Sequence, residues 1–120
     1  MKLPWWLPFG SAPEITADEL HHWLEEGKPL QLIDARSHME YERGTVRNAR
    51  FAPVTGLPDS VNQLAFDRQI PVVVLCLTGH RSLPGTRLLR SRGFEAYSLK
   101  GGIMQWEKAH YPMNLPSETS

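Results

Sequence analysis

Residues 71–82 read PVVVLCLTGHRS, and this stretch decides the fold. Its first half is an unbroken run of β-branched and aliphatic residues, which is typical of a strand buried on both faces. Its second half combines glycine, histidine, arginine and serine, and it leads into a segment with helical periodicity. Cys76 lies at the junction of the two halves. The pattern therefore predicts a buried strand, a polar loop and a helix, in that order.

Short apolar runs alternate with helical signals along the rest of the chain. Three further runs have the composition of strands: residues 30–33, 50–54 and 94–99. Pro53 lies in the second run, and proline is tolerated at the edge of a sheet because it cannot donate a ladder hydrogen bond. The alternation predicts an α/β fold, in which helices cover the faces of a parallel sheet.

Capping boxes indicate where several helices begin. In this pattern a serine or threonine is followed three residues later by glutamate or glutamine, and each side chain bonds the other's backbone. The pattern starts at Thr16, at Ser37 and at Ser60. A last helix is expected after the two glycines at 101 and 102, because Ile103 and Trp106 recur at helical spacing.

The chain of 120 residues is expected to form a single domain. We expect this domain to span residues 14–110, between a strap rich in Trp and Pro at residues 1–13 and a loose tail at residues 111–120. Prolines interrupt the strap around Trp5 and Trp6, so we expect neither a signal peptide nor a membrane span. The tryptophans are expected to pack on the domain, with a partner or membrane-surface contact as the alternative.

Composition limits the classes of partner. Thirteen basic and thirteen acidic residues give a formal net charge of zero, so the overall charge gives no reason to expect binding to nucleic acid. Residues 76–100 carry a local basic excess that suits a small anion, although a solvated basic helix face is the alternative. The single cysteine excludes an internal disulfide framework, and a cytoplasmic location is expected. The histidines lack ligand-like spacing, and we expect no metal and no cofactor.

Cys76 is the candidate nucleophile because of its place in the predicted fold. In open α/β sheets, functional sites gather at the carboxyl ends of the strands. Gly79 permits a tight turn, so that successive loop amides can point at the sulfur, and the next helix adds the partial positive charge of its N-terminus. Such a cradle stabilises the thiolate, which is the reactive form of cysteine. The alternative is an inert buried cysteine, which is common in protein cores.

Four segments carry a resemblance to a known family. They are LIDAR at residues 32–36, EYERGTVRNA at residues 40–49, CLTGHRS at residues 76–82, and LKGG at residues 99–102 followed by Trp106. Together, and in this order, they resemble the rhodanese homology domain, with Thr45 and Asn48 where that family usually has His and Gly. The resemblance implies a rhodanese-like fold, a five-stranded parallel sheet flanked by helices on both faces. It also implies a sulfurtransferase that carries sulfur as a persulfide on Cys76.

The same resemblance assigns roles to the residues around Cys76. The loop that would bind the donor anion consists of Leu77, Thr78, Gly79, His80, Arg81 and Ser82. Its amides would hold the transferred sulfur, and Arg81 and Ser82 would anchor the loop or the donor. Asp34 and Arg36 are expected behind the loop, as an ion pair that ties two loops together. The expected partners are a small donor anion such as thiosulfate and an acceptor such as cyanide, a small thiol or a protein thiol.

Two other functions remain open at this stage. Cysteine phosphatases and arsenate reductases also hold a thiolate in an amide cradle, with five residues between the cysteine and the arginine. Here four residues separate Cys76 from Arg81, which suits a sulfur atom better than a tetrahedral phosphate. The second alternative is a non-catalytic rhodanese-like binding or regulatory module, because a fold alone does not establish an activity. Trp5 and Trp6 would then be the contact to test.

Overall fold

The computed structural model describes residues 10–116 of the chain. Within this range, five parallel strands form one sheet in the order β1-β5-β4-β2-β3. The strands are β1 (Glu14–Ile15), β2 (Gln31–Asp34), β3 (Arg50–Phe51), β4 (Val72–Leu75) and β5 (Ala96–Leu99). The α-helices are α1 (Ala17–Glu25), α2 (His38–Arg43), α3 (Leu57–Gln63), α4 (Ser82–Ser91) and α5 (Gly102–Lys108). The predicted α/β class and the edge position of β3 are confirmed, and β4 lies at the centre of the sheet.

Helices cover both faces of the sheet, because successive residues of β4 enter two different cores. Val73 and Leu75 belong to the core that contains Leu20 of α1 and Trp106 of α5. Val72 and Val74 belong to the other core, with residues of α3 and α4 such as Leu57 and Leu89. Every residue of β4 is fully buried. Burial on both faces explains why this strand reads as a continuous apolar run without alternation.

Two of the three predicted capping boxes start helices, at α1 and α2. Thr16 and Ser37 each accept a hydrogen bond from the backbone of a glutamate three residues later, and that glutamate bonds back to the cap. The prediction that a helix starts at Ser60 is wrong, since α3 already begins at Leu57. Pro58 explains the earlier start, because proline is favoured in a first helical turn, where its missing N–H removes no hydrogen bond.

The two ends of the described chain are attached to the domain. Glu14 and Ile15 pair with β5, so the segment before α1 supplies the fifth strand. At the other end, Asn114 exchanges two backbone hydrogen bonds of 2.8 Å with Thr45. The indole of Trp106 also donates to a backbone carbonyl in this segment, that of Pro112, at 2.9 Å. Residues 112–114 are therefore held in place, in contrast with the loose tail expected from residue 111.

Some sequence expectations fall outside this range. Trp5 and Trp6 lie outside the described residues, as do residues 117–120. Among residues 10–116, no helix combines the length and the apolar character that crossing a bilayer would require.

Candidate active site

Cys76 lies directly after β4, the central strand, and a loop over residues 77–81 connects it to α4. The loop is also held by α5. The amide of Ile103 donates to the carbonyl of Cys76 at 2.8 Å, and the amide of Met104 donates to the carbonyl of Leu77 at 3.0 Å. Amides in the first turn of a helix have no partner within the helix. The loop backbone therefore satisfies the start of α5, and α5 in turn fixes the backbone on both sides of the Cys76–Leu77 peptide.

Two groups within residues 10–116 form hydrogen bonds with the Sγ atom of Cys76. The amide of Gly79 donates to the sulfur at 3.0 Å, and the Oγ atom of Ser82 lies 3.4 Å away. Gly79 adopts a φ of +93°, a left-handed backbone conformation that glycine accommodates without a steric clash. The sequence predicted several converging amides. The amide of Leu83, further along the chain, instead donates to the carbonyl of His80 at 3.2 Å, where the chain enters α4.

The sulfur is enclosed together with its two hydrogen-bond partners. Cys76 and Ser82 have no exposed surface, and Ser82 Oγ is hydrogen-bonded to Ser98 Oγ, which is equally buried. On the solvent side of the loop, Thr78 and His80 are exposed and their side chains lie 3.1 Å apart, measured from Oγ1 to Nδ1.

Arg81 supplies an accessible positive charge at the loop. Its Nη2 atom lies 3.6 Å from Oε1 of Glu40 at the start of α2, and 45% of the arginine side chain is exposed. A hydrogen bond from the backbone of Ser37 lowers the pKa of Glu40 below its ordinary value of 4.5, and the charge of Arg81 adds a smaller effect. Since the pair is loose and exposed, the guanidinium can still meet a small anion from solvent.

Asp34 and Arg36 form a buried ion pair at the end of the neighbouring strand. Asp34 is the ladder partner of Leu75, the residue before the cysteine. The Nη2 atom of Arg36 donates to Oδ2 of Asp34 at 2.8 Å and to the carbonyl of Gly44 at 2.6 Å. Thr45 also donates to Oδ2 of Asp34 at 2.8 Å. Within the described residues these side chains make no hydrogen bond to Cys76, and they tie the segment after β2 to the turn after α2.

Three residues that contribute to this region were not among the site residues predicted from the sequence. Ser98 meets Ser82 beneath the sulfur, Thr45 bonds Asp34, and Gly102 packs against the loop backbone. Ser98 carried a usable signal, because a hydroxyl at the inward position of a buried strand needs a partner. In the part of the chain that the structure describes, no cluster of three or more His, Cys, Asp or Glu side chains is placed to hold a metal ion.

Comparison with known proteins agrees with this architecture. Residues 16–109 match the family model described as the rhodanese-like domain. The chain is 30% identical over 101 residues to a Bacillus subtilis protein named as a sulfurtransferase, YtwF, a match that covers 84% of this chain and 96% of that protein. The solved rhodanese-like domain protein of Staphylococcus aureus has a TM-score of 0.72 and 33% identity, covering 78% of this chain and 90% of that one. The chain therefore belongs to the rhodanese-like domain family.

The family also contains larger proteins with other names. The chain is 33% identical over 108 residues to the tRNA uridine(34) hydroxylase of Corynebacterium kroppenstedtii. This match covers 84% of the chain but only 36% of the hydroxylase, so the likeness is confined to about a third of that protein.

Proposed function

We propose that the protein is a sulfurtransferase in which Cys76 accepts a sulfane sulfur from a small anionic donor and passes it to a thiophilic acceptor. Thiosulfate is the proposed donor, and cyanide, a small thiol or a protein thiol is the proposed acceptor. The observation that carries the proposal is the surroundings of the sulfur. Sγ accepts the Gly79 amide at 3.0 Å and lies 3.4 Å from the Ser82 hydroxyl, at the carboxyl end of the central strand.

The proposed reaction has two displacements. In the first, the Cys76 thiolate attacks the outer sulfur of thiosulfate, a new S–S bond forms, and the S–S bond of the donor breaks. Sulfite leaves with the electron pair, and the enzyme holds a persulfide anion. In the second, cyanide attacks the outer sulfur of the persulfide, and thiocyanate leaves. The electron pair of the enzyme's S–S bond returns to Cys76 as the thiolate, so no outside oxidant or reductant is needed.

Each group near the sulfur has a task in this cycle. The Gly79 amide donates to the sulfur, and the Ser82 hydroxyl, which accepts from the thiol, would donate to the sulfur once it is an anion. Hydrogen bonds to ions are about twice as strong as those between neutral groups. Arg81, exposed on the loop, would attract the donor anion. Because Cys76 has no exposed surface, residues 77–81 must shift or the cysteine side chain must rotate outward before a donor reaches it. Enclosure then protects the persulfide from solvent and stray thiols.

The same enclosure favours a second candidate, a non-catalytic rhodanese-like module. In that case the buried Cys76 would be a structural residue, and the loop would never open to a donor. A cysteine phosphatase is a weaker alternative, since four residues between Cys76 and Arg81 leave a short loop. A purely structural Cys76 would not require the Gly79 amide and the Ser82 hydroxyl that contact the sulfur.

Intact-protein mass spectrometry tests the proposal without knowledge of the acceptor. Incubation with thiosulfate should add one sulfur atom to the chain, and a reducing thiol should remove it. The Cys76→Ser variant should gain none, and the wild-type protein should convert thiosulfate and cyanide to thiocyanate. A chain that gains no sulfur over a range of donor concentrations would favour the non-catalytic module. Hydrolysis of an aryl phosphate that depends on Cys76 would favour the phosphatase.

A further inference from the structure

Two buried hydroxyl groups form a chain of hydrogen bonds that leads to the sulfur of Cys76. Ser98 on β5 is hydrogen-bonded through its Oγ atom to Oγ of Ser82 on α4, and Ser82 Oγ lies 3.4 Å from Sγ of Cys76. All three residues have no exposed surface. Ser98 is the ladder partner of Val74 on the central strand, so its side chain enters the core beneath α4. Within residues 10–116, Ser82 is the hydrogen-bond partner of the Ser98 hydroxyl.

The number of hydrogens in this chain of contacts depends on the charge of the sulfur. When Cys76 is a thiol, Ser98, Ser82 and Cys76 each carry one hydrogen, but the three groups share only two hydrogen-bonding contacts. One of the three hydrogens therefore lacks an acceptor among these groups. With an anionic sulfur, the two hydroxyl hydrogens fill the two contacts: Ser98 donates to Ser82, and Ser82 donates to the sulfur. Since an unpaired buried donor is costly, the arrangement matches the anion better than the thiol.

We propose that Ser98 is a positioning residue for the sulfur-transfer reaction, which orients the Ser82 hydroxyl so that it donates to the anionic sulfur of Cys76. The inference rests on the proposed function, in which the sulfur is an anion both before attack and as the persulfide. Without Ser98, the Ser82 hydroxyl would lose the donor that directs its own hydrogen towards Cys76. Ala96, at the preceding inward position of the same strand, carries no polar side-chain group, so the hydroxyl is particular to position 98.

The ultraviolet absorbance of the thiolate measures this effect without any sulfur donor. Cys76 is the single cysteine, so Cys76→Ser supplies the baseline. The pKa of each of the three tyrosines is raised above its ordinary value of 10, which keeps tyrosinate absorbance at high pH, and the Cys76→Ser baseline contains the same tyrosines. The main cause is burial for Tyr41, a hydrogen bond to Glu95 for Tyr97 and a hydrogen bond to Asp18 for Tyr111.

We expect Ser98→Ala to raise the pH midpoint of thiolate formation by roughly one unit, the equivalent of one hydrogen bond to an anion. Ser82→Ala should raise it by at least as much, and Ser98→Ala should add no further shift in the Ser82→Ala background. Ser60→Ala is the matched control, because it removes a buried hydroxyl that has no hydrogen-bond partner within residues 10–116, and it should leave the midpoint unchanged. Circular dichroism checks that each variant is folded.

An unchanged midpoint of thiolate formation in folded Ser98→Ala would overturn the inference. The inference would also fail if Ser98→Ala shifted the midpoint equally in the wild-type and the Ser82→Ala backgrounds. Because the titration needs no donor, its outcome is independent of the sulfur-addition experiment. A shift without sulfur addition would refute the proposed function and leave the hydroxyl arrangement established. Sulfur addition without a shift would refute the role of Ser98 alone.

Discussion

Gly102 packs so closely against Cys76 that a β-carbon at position 102 would overlap the carbonyl oxygen of Cys76. It would meet the carbonyl of Leu77 as well, and Gly102 has a left-handed φ of +63°. The start of α5 is therefore in direct contact with the backbone that presents the sulfur. Any side chain at this position must push the loop away from the helix.

We expect Gly102→Ala to displace the Cys76 loop and to lower sulfur transfer by roughly a hundredfold, the effect of misplacing a reacting group by about 1 Å. Gly27→Ala is the matched control. Gly27 has a similar φ of +73°, but in the described part of the chain no atom lies within 4 Å of the position of a β-carbon. The Gly27→Ala variant should lose about 1–2 kcal/mol of stability because of the backbone strain, and it should keep the wild-type rate of sulfur transfer. Equal activity in the two variants would contradict the proposed contact.

Arg36→Met should destabilise the fold strongly. The substitution leaves the Asp34 carboxylate buried with Thr45 as its remaining side-chain partner, and breaking a buried ion pair on one side costs about 3–5 kcal/mol. Chemical denaturation measures this loss in the free energy of unfolding. A second change, Asp34→Asn in the same chain, should recover part of it by removing the unpaired charge. A loss below about 1 kcal/mol would show that the pair contributes little.

Arg81→Ala should weaken binding of an anionic donor more than it slows the chemical step. The guanidinium is partly exposed, so its contribution is that of a surface charge, and we expect KM for thiosulfate to rise roughly two- to fivefold. Steady-state kinetics at low ionic strength would measure the change. Arg47→Ala is the control, because Arg47 is exposed and precedes β3, at the opposite end of the strands from Cys76. An equal rise in both variants would indicate a general effect of charge.

Glu40 should make the stability of the protein depend on pH. Its pKa in the folded protein is lowered from 4.5, chiefly by the backbone hydrogen bond from Ser37. The stabilisation is therefore present above pH 4.5 and is lost as the pH falls through the lower folded value. We expect the difference in unfolding free energy between wild type and Glu40→Gln to be constant near neutral pH and to shrink below 4.5. A difference that is independent of pH would contradict this role.

The sequence was most informative where local patterns and burial point in the same direction. The apolar run of β4 predicted a strand covered on both faces, and the fold places it at the centre of the sheet. Capping boxes at Thr16 and Ser37 predicted two helix starts correctly, because their hydrogen bonds involve only residues of the same turn. At Ser60 the same pattern failed, since the preference of Pro58 for a first turn moved the start of α3 earlier.

Long-range pairing was harder to predict from local patterns. Strand β1 has only two residues, and it forms because β5 offers a free edge. The likeness to the rhodanese family implied a five-stranded sheet, but not which residues form this strand. The bridge between Thr45 and Asn114 likewise joins residues that no local pattern relates.

The sequence by itself determined the order of the helices and of four of the five strands, the family, and the candidate nucleophile, because these depend on local periodicity and on short motifs. Only the tertiary structure showed that the sulfur is fully enclosed, that one loop amide donates to it, and that Ser98 reaches it through Ser82. The physical reason is that hydrogen bonds to a buried atom depend on the positions of elements far apart in the chain. β5 and α4 meet beneath Cys76 only in the folded protein.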